Sequence, residues 1–138
     1  MSDSPIQRLV DAMHALDVDA LVELFAPTAH LMTADGRHAE GPDAVRTLLD
    51  EFFGALRSTT HTVTAEWHQD NVWIAELEAS YELRDWLQLN KLPRVFIVRE
   101  GTEGIDDLRV YGAHEHPLTE HRTGEEGMWL GSRWIPPL

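Results

Sequence analysis

The hydrophobic period of this chain changes near Thr59, and that change limits what it can fold into. Before it, apolar residues recur three and four apart; after it, they alternate. Helices that precede a run of strands are expected to gather on one face of an antiparallel sheet, which gives an α+β domain. A strand and tight turn sit between the second and third helical segments, so the helices should line a cone over a curved sheet. Such a cone can hold a small apolar ligand.

Ser4-Pro5 starts the first helix, with Ile6, Leu9, Val10 and Met13 on its apolar face. Asp17 caps a second, whose face is Val18, Leu21, Val22 and Phe25, and Pro27 ends it. Residues 28–34 read as a strand, Asp35-Gly36 as its turn and residues 37–40 as a short return. Gly41-Pro42-Asp43 opens the third helix, where Val45, Leu48, Leu49, Phe52, Phe53 and Leu56 form a broad stripe.

Residues 59–68, 71–84, 91–100 and 105–115 then read as four strands of a meander. The second alternates most cleanly: Trp73, Ala75, Leu77, Ala79, Tyr81 and Leu83 face one way, with Glu76, Glu78, Ser80 and Glu82 opposite. On the last, Leu108, Val110, Gly112 and His114 share a face against Arg109 and Tyr111. Arg94, Arg99 and Arg109 are expected to pair with the glutamates, at about 0–1 kcal/mol for each exposed pair. The meander and cone are assigned to residues 1–118. The apolar tail, 119–138, is expected to be an extension packed on the domain or on a dimer partner.

The 138 residues suffice for one domain with a real core. A net charge of −13 excludes the basic footprint that nucleic acids and anionic membranes require. There is no cysteine, hence no disulfide framework and no thiolate nucleophile. No apolar run reaches membrane-spanning length, and the N-terminus has no signal-peptide pattern, so the expected location is cytoplasmic.

The run LDVDALVELFAPTAHLMTADGRHAEGPDAV, together with GIDDLRVYGAHEHPL on the last strand, resembles the SnoaL-like branch of the nuclear-transport-factor-2-like superfamily over residues 5–118. The resemblance implies a cone of three helices on a strongly curved, mainly antiparallel sheet. It also implies a homodimer and cofactor-free chemistry on a small apolar molecule. Members differ in activity, so function must come from the site. In the register of the ketosteroid isomerases, the oxyanion tyrosine falls on Leu9, the catalytic aspartate on Thr33 and the second acid near Val95; that mechanism is excluded. An aspartate carried by many SnoaL-like cyclases falls near Ala113. The scytalone-dehydratase-like branch fits better: its catalytic histidine matches His61 in Thr60-His61-Thr62-Val63, its helix acid falls on His14, and its pocket tyrosine falls on Thr33.

His61 shares strand parity with Val63, Ala65 and Trp67, assigned here to the inner face. An imidazole of ordinary pKa there could pass a proton in either direction. Tyr81, His14 and His114 are the candidates for stabilising oxygen charge. Leu9, Met13, Thr33 and Phe53 would wall the pocket from the helices and first strand. Val63, Trp67, Trp73 and Val95 would do so from the meander, and Leu108, Val110 and Gly112 from the last strand. His114-x-His116 lacks a convincing third ligand, so no metal is assigned. The expected function is a cofactor-independent lyase, isomerase or cyclase acting on a polyketide-like or terpenoid-like compound through histidine acid/base chemistry. The alternative is a non-catalytic ligand-binding or dimerisation module of the same fold.

Overall fold

The computed structural model describes residues 4–112, and the backbone of residues 128–130 and 133–135. Helix α1 (Pro5–His14) begins where Ser4 Oγ accepts from the Ile6 N–H at 3.1 Å, with Pro5 in the first turn. Helix α2 (Val18–Glu23) is capped by Asp17, which accepts from the Ala20 N–H at 3.0 Å. Strands β1 (Phe25–Met32) and β2 (His38–Glu40) form the hairpin, and α3 (Gly41–Gly54) follows with Pro42 in its first turn.

The second helix ends before Phe25, so Phe25 belongs to β1 rather than to a helical face, and Pro27 lies within the strand. Pairing of β1 with its parallel neighbour is interrupted between Phe25 and His30. Proline's missing N–H is therefore tolerated there.

The meander is β3 (Leu56–Gln69), β4 (Val72–Leu83), β5 (Gln88–Gly101) and β6 (Gly104–Gly112). The six strands form one curved, mixed sheet in the order β2-β1-β6-β5-β4-β3. Only the β1–β6 pair within it is parallel. Gly104, at φ +128°, makes the turn into β6; a Cβ there would lie 2.7 Å from the Leu24 carbonyl oxygen. Strands β7 (Met128–Leu130) and β8 (Arg133–Ile135) form a separate antiparallel pair.

The core lies between the helices and the inner sheet face. Ile6 and Leu9 of α1 and Val45 of α3 are fully buried, as are Ala75 and Ala79 of β4 and Val98 of β5. No helix among the described residues is long and apolar enough to cross a membrane.

Two β-bulges reset which residues face this core. On β3, Val63 pairs with Leu77 but Ala65 pairs with Glu76, leaving Thr64 as the extra residue. Beyond it Trp67 stands opposite outward-facing Ile74, so Ala65 and Trp67 leave the inner row; Trp67 is 53% exposed. On β5, Asn90 and Lys91 together oppose Ser80, with Lys91 at φ +54° and its N–H donating to Ser80 Oγ at 3.0 Å. This bulge turns Arg94, Phe96 and Val98 inward and Val95 outward. Both inner-face assignments, Trp67 and Val95, are thereby corrected for the same physical reason: one inserted residue inverts the parity of all that follow.

The arginine pairing also differs from expectation. Arg99 and Arg109 both reach Asp107, at 3.3 and 3.1 Å, rather than a glutamate. Arg94 is buried.

Candidate functional site

A cavity of about 60 Å³ lies between α3, α1 and the inner sheet face. Leu48, Leu49, Phe52 and Phe53 form its helical wall, with Met13 from α1. Leu31, Thr33 and Ala34 close the side toward β1. The sheet supplies His61, Tyr81, Arg94, Phe96, Leu108 and Val110. Its polar groups are thus few and its walls mostly hydrocarbon, the usual character of a small-molecule site.

His61 is buried on β3, directly across from Ala79. Its ring packs edge-on against Tyr81 at 5.8 Å between centroids and lies 6.0 Å from the ring of Phe96. The Thr59 hydroxyl donates its one hydrogen to the Ser80 carbonyl at 3.2 Å, so at 3.3 Å it can only accept from His61 Nδ1–H. That assigns the Nδ1–H tautomer and leaves the lone pair on Nε2. Burial, reinforced by His14 and by the positive charge of Arg94, lowers the His61 pKa from 6.5 to about 3. The imidazole is therefore neutral throughout the physiological range.

His14 does not line the cavity. Its Nε2 accepts the His61 backbone N–H at 2.8 Å, so it anchors the strand that carries His61. Tyr81 follows the clean alternation of β4 to the cavity, and Arg94 Cζ lies 5.9 Å from its ring centroid. Thr33 borders the cavity while its hydroxyl donates to Asp35 Oδ1; Asp35 in turn accepts from Arg37 Nε at 2.8 Å. Arg37 also donates to Glu51 at 2.9 Å, which ties the hairpin to α3.

The structure brings His61, Tyr81, Met13, Thr33, Phe53, Leu108 and Val110 to one cavity. Leu9 and Val63 pack in the core beside it. Trp73 stacks on His68 at 3.7 Å and donates to Glu100 at 3.0 Å, away from the lining. Trp67 and Val95 face outward. Gly112 pairs with Arg94, and the space its missing side chain leaves is taken by that arginine rather than by the cavity. His114 and His116 lie outside the described residues.

Sequence reasoning missed Arg94 because of the β5 bulge. It placed Leu48, Leu49 and Phe52 on the correct helical stripe without assigning them to the site. That stripe was the available signal.

Three solved structures illustrate the likeness of the fold. One, from Catenulispora acidiphila, has a ketosteroid-isomerase-like fold and is in complex with trimethylamine. It is 15% identical over 86% of this chain and 92% of its own, with a TM-score of 0.75. A protein from Shewanella denitrificans, provisionally named a SnoaL-like polyketide cyclase, is 6% identical over 81% and 90%, with a TM-score of 0.72. Another, from Sinorhizobium meliloti and provisionally named a polyketide cyclase, is 17% identical over 80% and 94%, with a TM-score of 0.65. At such identities the likeness establishes the fold alone. No curated protein matches the chain. The SnoaL-like domain profile matches residues 6–111, and the chain accordingly belongs to the SnoaL-like domain family.

Proposed function

We propose that this protein is a cofactor-independent isomerase, cyclase or lyase for a small, mostly apolar carbonyl compound, with His61 Nε2 as the base. The observation that supports this is a buried imidazole whose Nδ1–H is held by Thr59 beside an apolar cavity. In the proposed step, Nε2 takes the proton from carbon next to a carbonyl, and the C–H electron pair becomes the new C–C π bond. Charge gathers on the carbonyl oxygen, where the Tyr81 hydroxyl donates. Returning the proton to another carbon is isomerisation, and returning it to a departing hydroxyl is dehydration. Attack of the carbanion on a second carbonyl is cyclisation.

A pKa near 3 makes His61 a weak base in the empty site, yet keeps it entirely in the base form at neutral pH. The enolate formed beside it supplies the negative charge that steadies an imidazolium. The provisional names of the neighbours as polyketide cyclases support the same class of chemistry. Trimethylamine, bound by another neighbour, is a cation at neutral pH and fits poorly beside Arg94.

A second reading, binding without turnover, is favoured by the size of the cavity. Its 60 Å³ is well below the roughly 150 Å³ that admits benzene, so a ring must displace side chains to enter. We also infer a homodimer, in which a second copy covers Trp67, Ile74, Ile97 and Tyr111 on the outer sheet face; sedimentation at micromolar concentration tests this.

The function test is proton–deuterium exchange in D₂O, followed by NMR, over a panel of cyclic enones, hydroxyketones and 1,3-diketones. The expected result is accelerated exchange at the carbon next to a carbonyl, falling at least about 100-fold in His61→Gln. Exchange that survives His61→Gln excludes His61 as the base. Binding without exchange leaves the second reading.

A further inference from the structure

Three elements meet at the mouth of the cavity. Of its lining residues, Ala34 on the β1–β2 turn, Phe52 on α3 and Val110 on β6 are half-buried; the others are buried. An ion pair joins two of these sides. Arg37, in the turn that carries Ala34, places Nη1 2.9 Å from the carboxylate of Glu51, the residue before Phe52 on α3. At about 60 Å³ the cavity is too small for a ring, so part of this mouth has to move before one enters.

The turn holds its own shape. The Thr33 N–H donates to the Arg37 carbonyl at 2.9 Å and the Gly36 N–H to the Thr33 carbonyl at 2.9 Å, with Gly36 at φ +86°. Asp35 accepts from the Thr33 hydroxyl and from Arg37 Nε. All of these bonds lie within residues 33–37, so they survive if the turn lifts. Lifting breaks the contact with Glu51, where the two side chains are 36% and 56% exposed; an ion pair so open to water holds little. The closed turn also carries a cost. Arg37 Nη2 is buried without a hydrogen-bond partner, and lifting would give it water.

We propose that residues 33–37 form a lid over the cavity, latched to α3 by the Arg37–Glu51 ion pair, and that a small apolar ligand enters when the lid lifts. This rests on reading the cavity as a ligand site. The lining side chains that the lid carries, Thr33 and Ala34, are small, so little apolar surface is uncovered. A weak latch and a donor that gains water keep the open state within thermal reach. Once the ligand is in, closure restores the apolar surround of His61 and keeps out water. The ion pair then governs the rate of entry and exit, and His61 the chemistry.

The chain has no cysteine, so a single introduced thiol reports opening without a ligand. Leu49→Cys puts one in the cavity wall; Val45→Cys puts one on the same helix, fully buried and away from the lining. Labelling by methyl methanethiosulfonate, followed by mass spectrometry, is expected to run at least about tenfold faster at Leu49→Cys when Glu51→Gln or Arg37→Gln is added, and to change less than about twofold at Val45→Cys. Salt at about 1 M, which shortens the Debye length to about 3 Å, should speed Leu49→Cys labelling but have no such effect once Glu51→Gln is present. Leu48→Cys, in the same wall, serves if Leu49→Cys does not fold. Labelling unmoved by both latch variants, or accelerated equally at both thiols, overturns the lid. An excess of cyclohexanone should protect Leu49→Cys and not Val45→Cys. Protection without a latch effect overturns the lid alone. A latch effect without protection upholds the moving turn and overturns the ligand-site reading on which entry rests.

Discussion

His14 Nε2 stands 2.8 Å from the backbone nitrogen of His61 and accepts its hydrogen. Strand β3 is an edge of the sheet, and at position 61 this N–H is taken by a side chain of α1 instead of a neighbouring strand. A histidine at the end of α1 thus fixes where His61 sits without touching the cavity. His14→Phe keeps the ring volume and removes the acceptor. We expect the His61 amide to exchange about tenfold faster, with a loss of about 1 kcal/mol in stability, read by NMR hydrogen exchange and urea unfolding.

Strict alternation would turn Trp67 inward and Phe96 outward, and the two bulges reverse both. Trp67, turned outward beyond Thr64, should tolerate Trp67→Ala within about 0.5 kcal/mol in the isolated monomer. Phe96, turned inward beyond Lys91, should lose about 3–5 kcal/mol on Phe96→Ala. Chemical denaturation of both variants checks the parity of both strands.

These bulges also mark where the sequence stops being readable. Capping at Ser4 and Asp17, the Asp35-Gly36 turn and the alternation of β4 each have a local chemical cause, so the helices and the succession of strands along the chain were legible. Strand β5 offers apolar residues on both rows, Val95 and Ile97 against Phe96 and Val98, so its alternation does not reveal its inner face. Lys91 at positive φ, held through Ser80 Oγ, leaves no mark in the residue pattern. A buried arginine runs against ordinary expectation as well. The place of His61 was available from its setting, but its neutral state follows from packing that only three-dimensional structure supplies.

Asp107 gathers three strands at the outer face. It accepts from His30 Nδ1 at 2.9 Å, Arg109 Nε at 3.1 Å and Arg99 Nη1 at 3.3 Å. Burial alone would raise its pKa, but the hydrogen bonds and charges of His30 and Arg109 outweigh it and hold the carboxyl below its ordinary value. A carboxylate depressed in this way contributes stability above its unfolded pKa and loses it as pH falls through the folded one. Asp107→Asn should therefore cost about 1–2 kcal/mol at pH 7, with the difference from wild type shrinking below about pH 4. Urea midpoints at pH 7 and pH 3 read both effects.

For His61 the linkage runs over a different window. In the unfolded chain its pKa is near 6.5; in the folded protein it is about 3. Below pH 6.5 the unfolded state binds a proton that the native state refuses, so stability falls with pH until native His61 also protonates near 3. Each unit in that window removes at most about 1.4 kcal/mol, so by pH 4.5 His61 alone accounts for a loss of about 2–3 kcal/mol relative to pH 7. His61→Gln, which cannot titrate, should lower stability at neutral pH but flatten this acid slope. A His61→Gln slope equal to that of wild type between pH 6.5 and 4.5 would mean that the imidazole is not held neutral. The proposed base would then titrate near its ordinary pKa of about 6.5 and lose its base form as pH falls through that value.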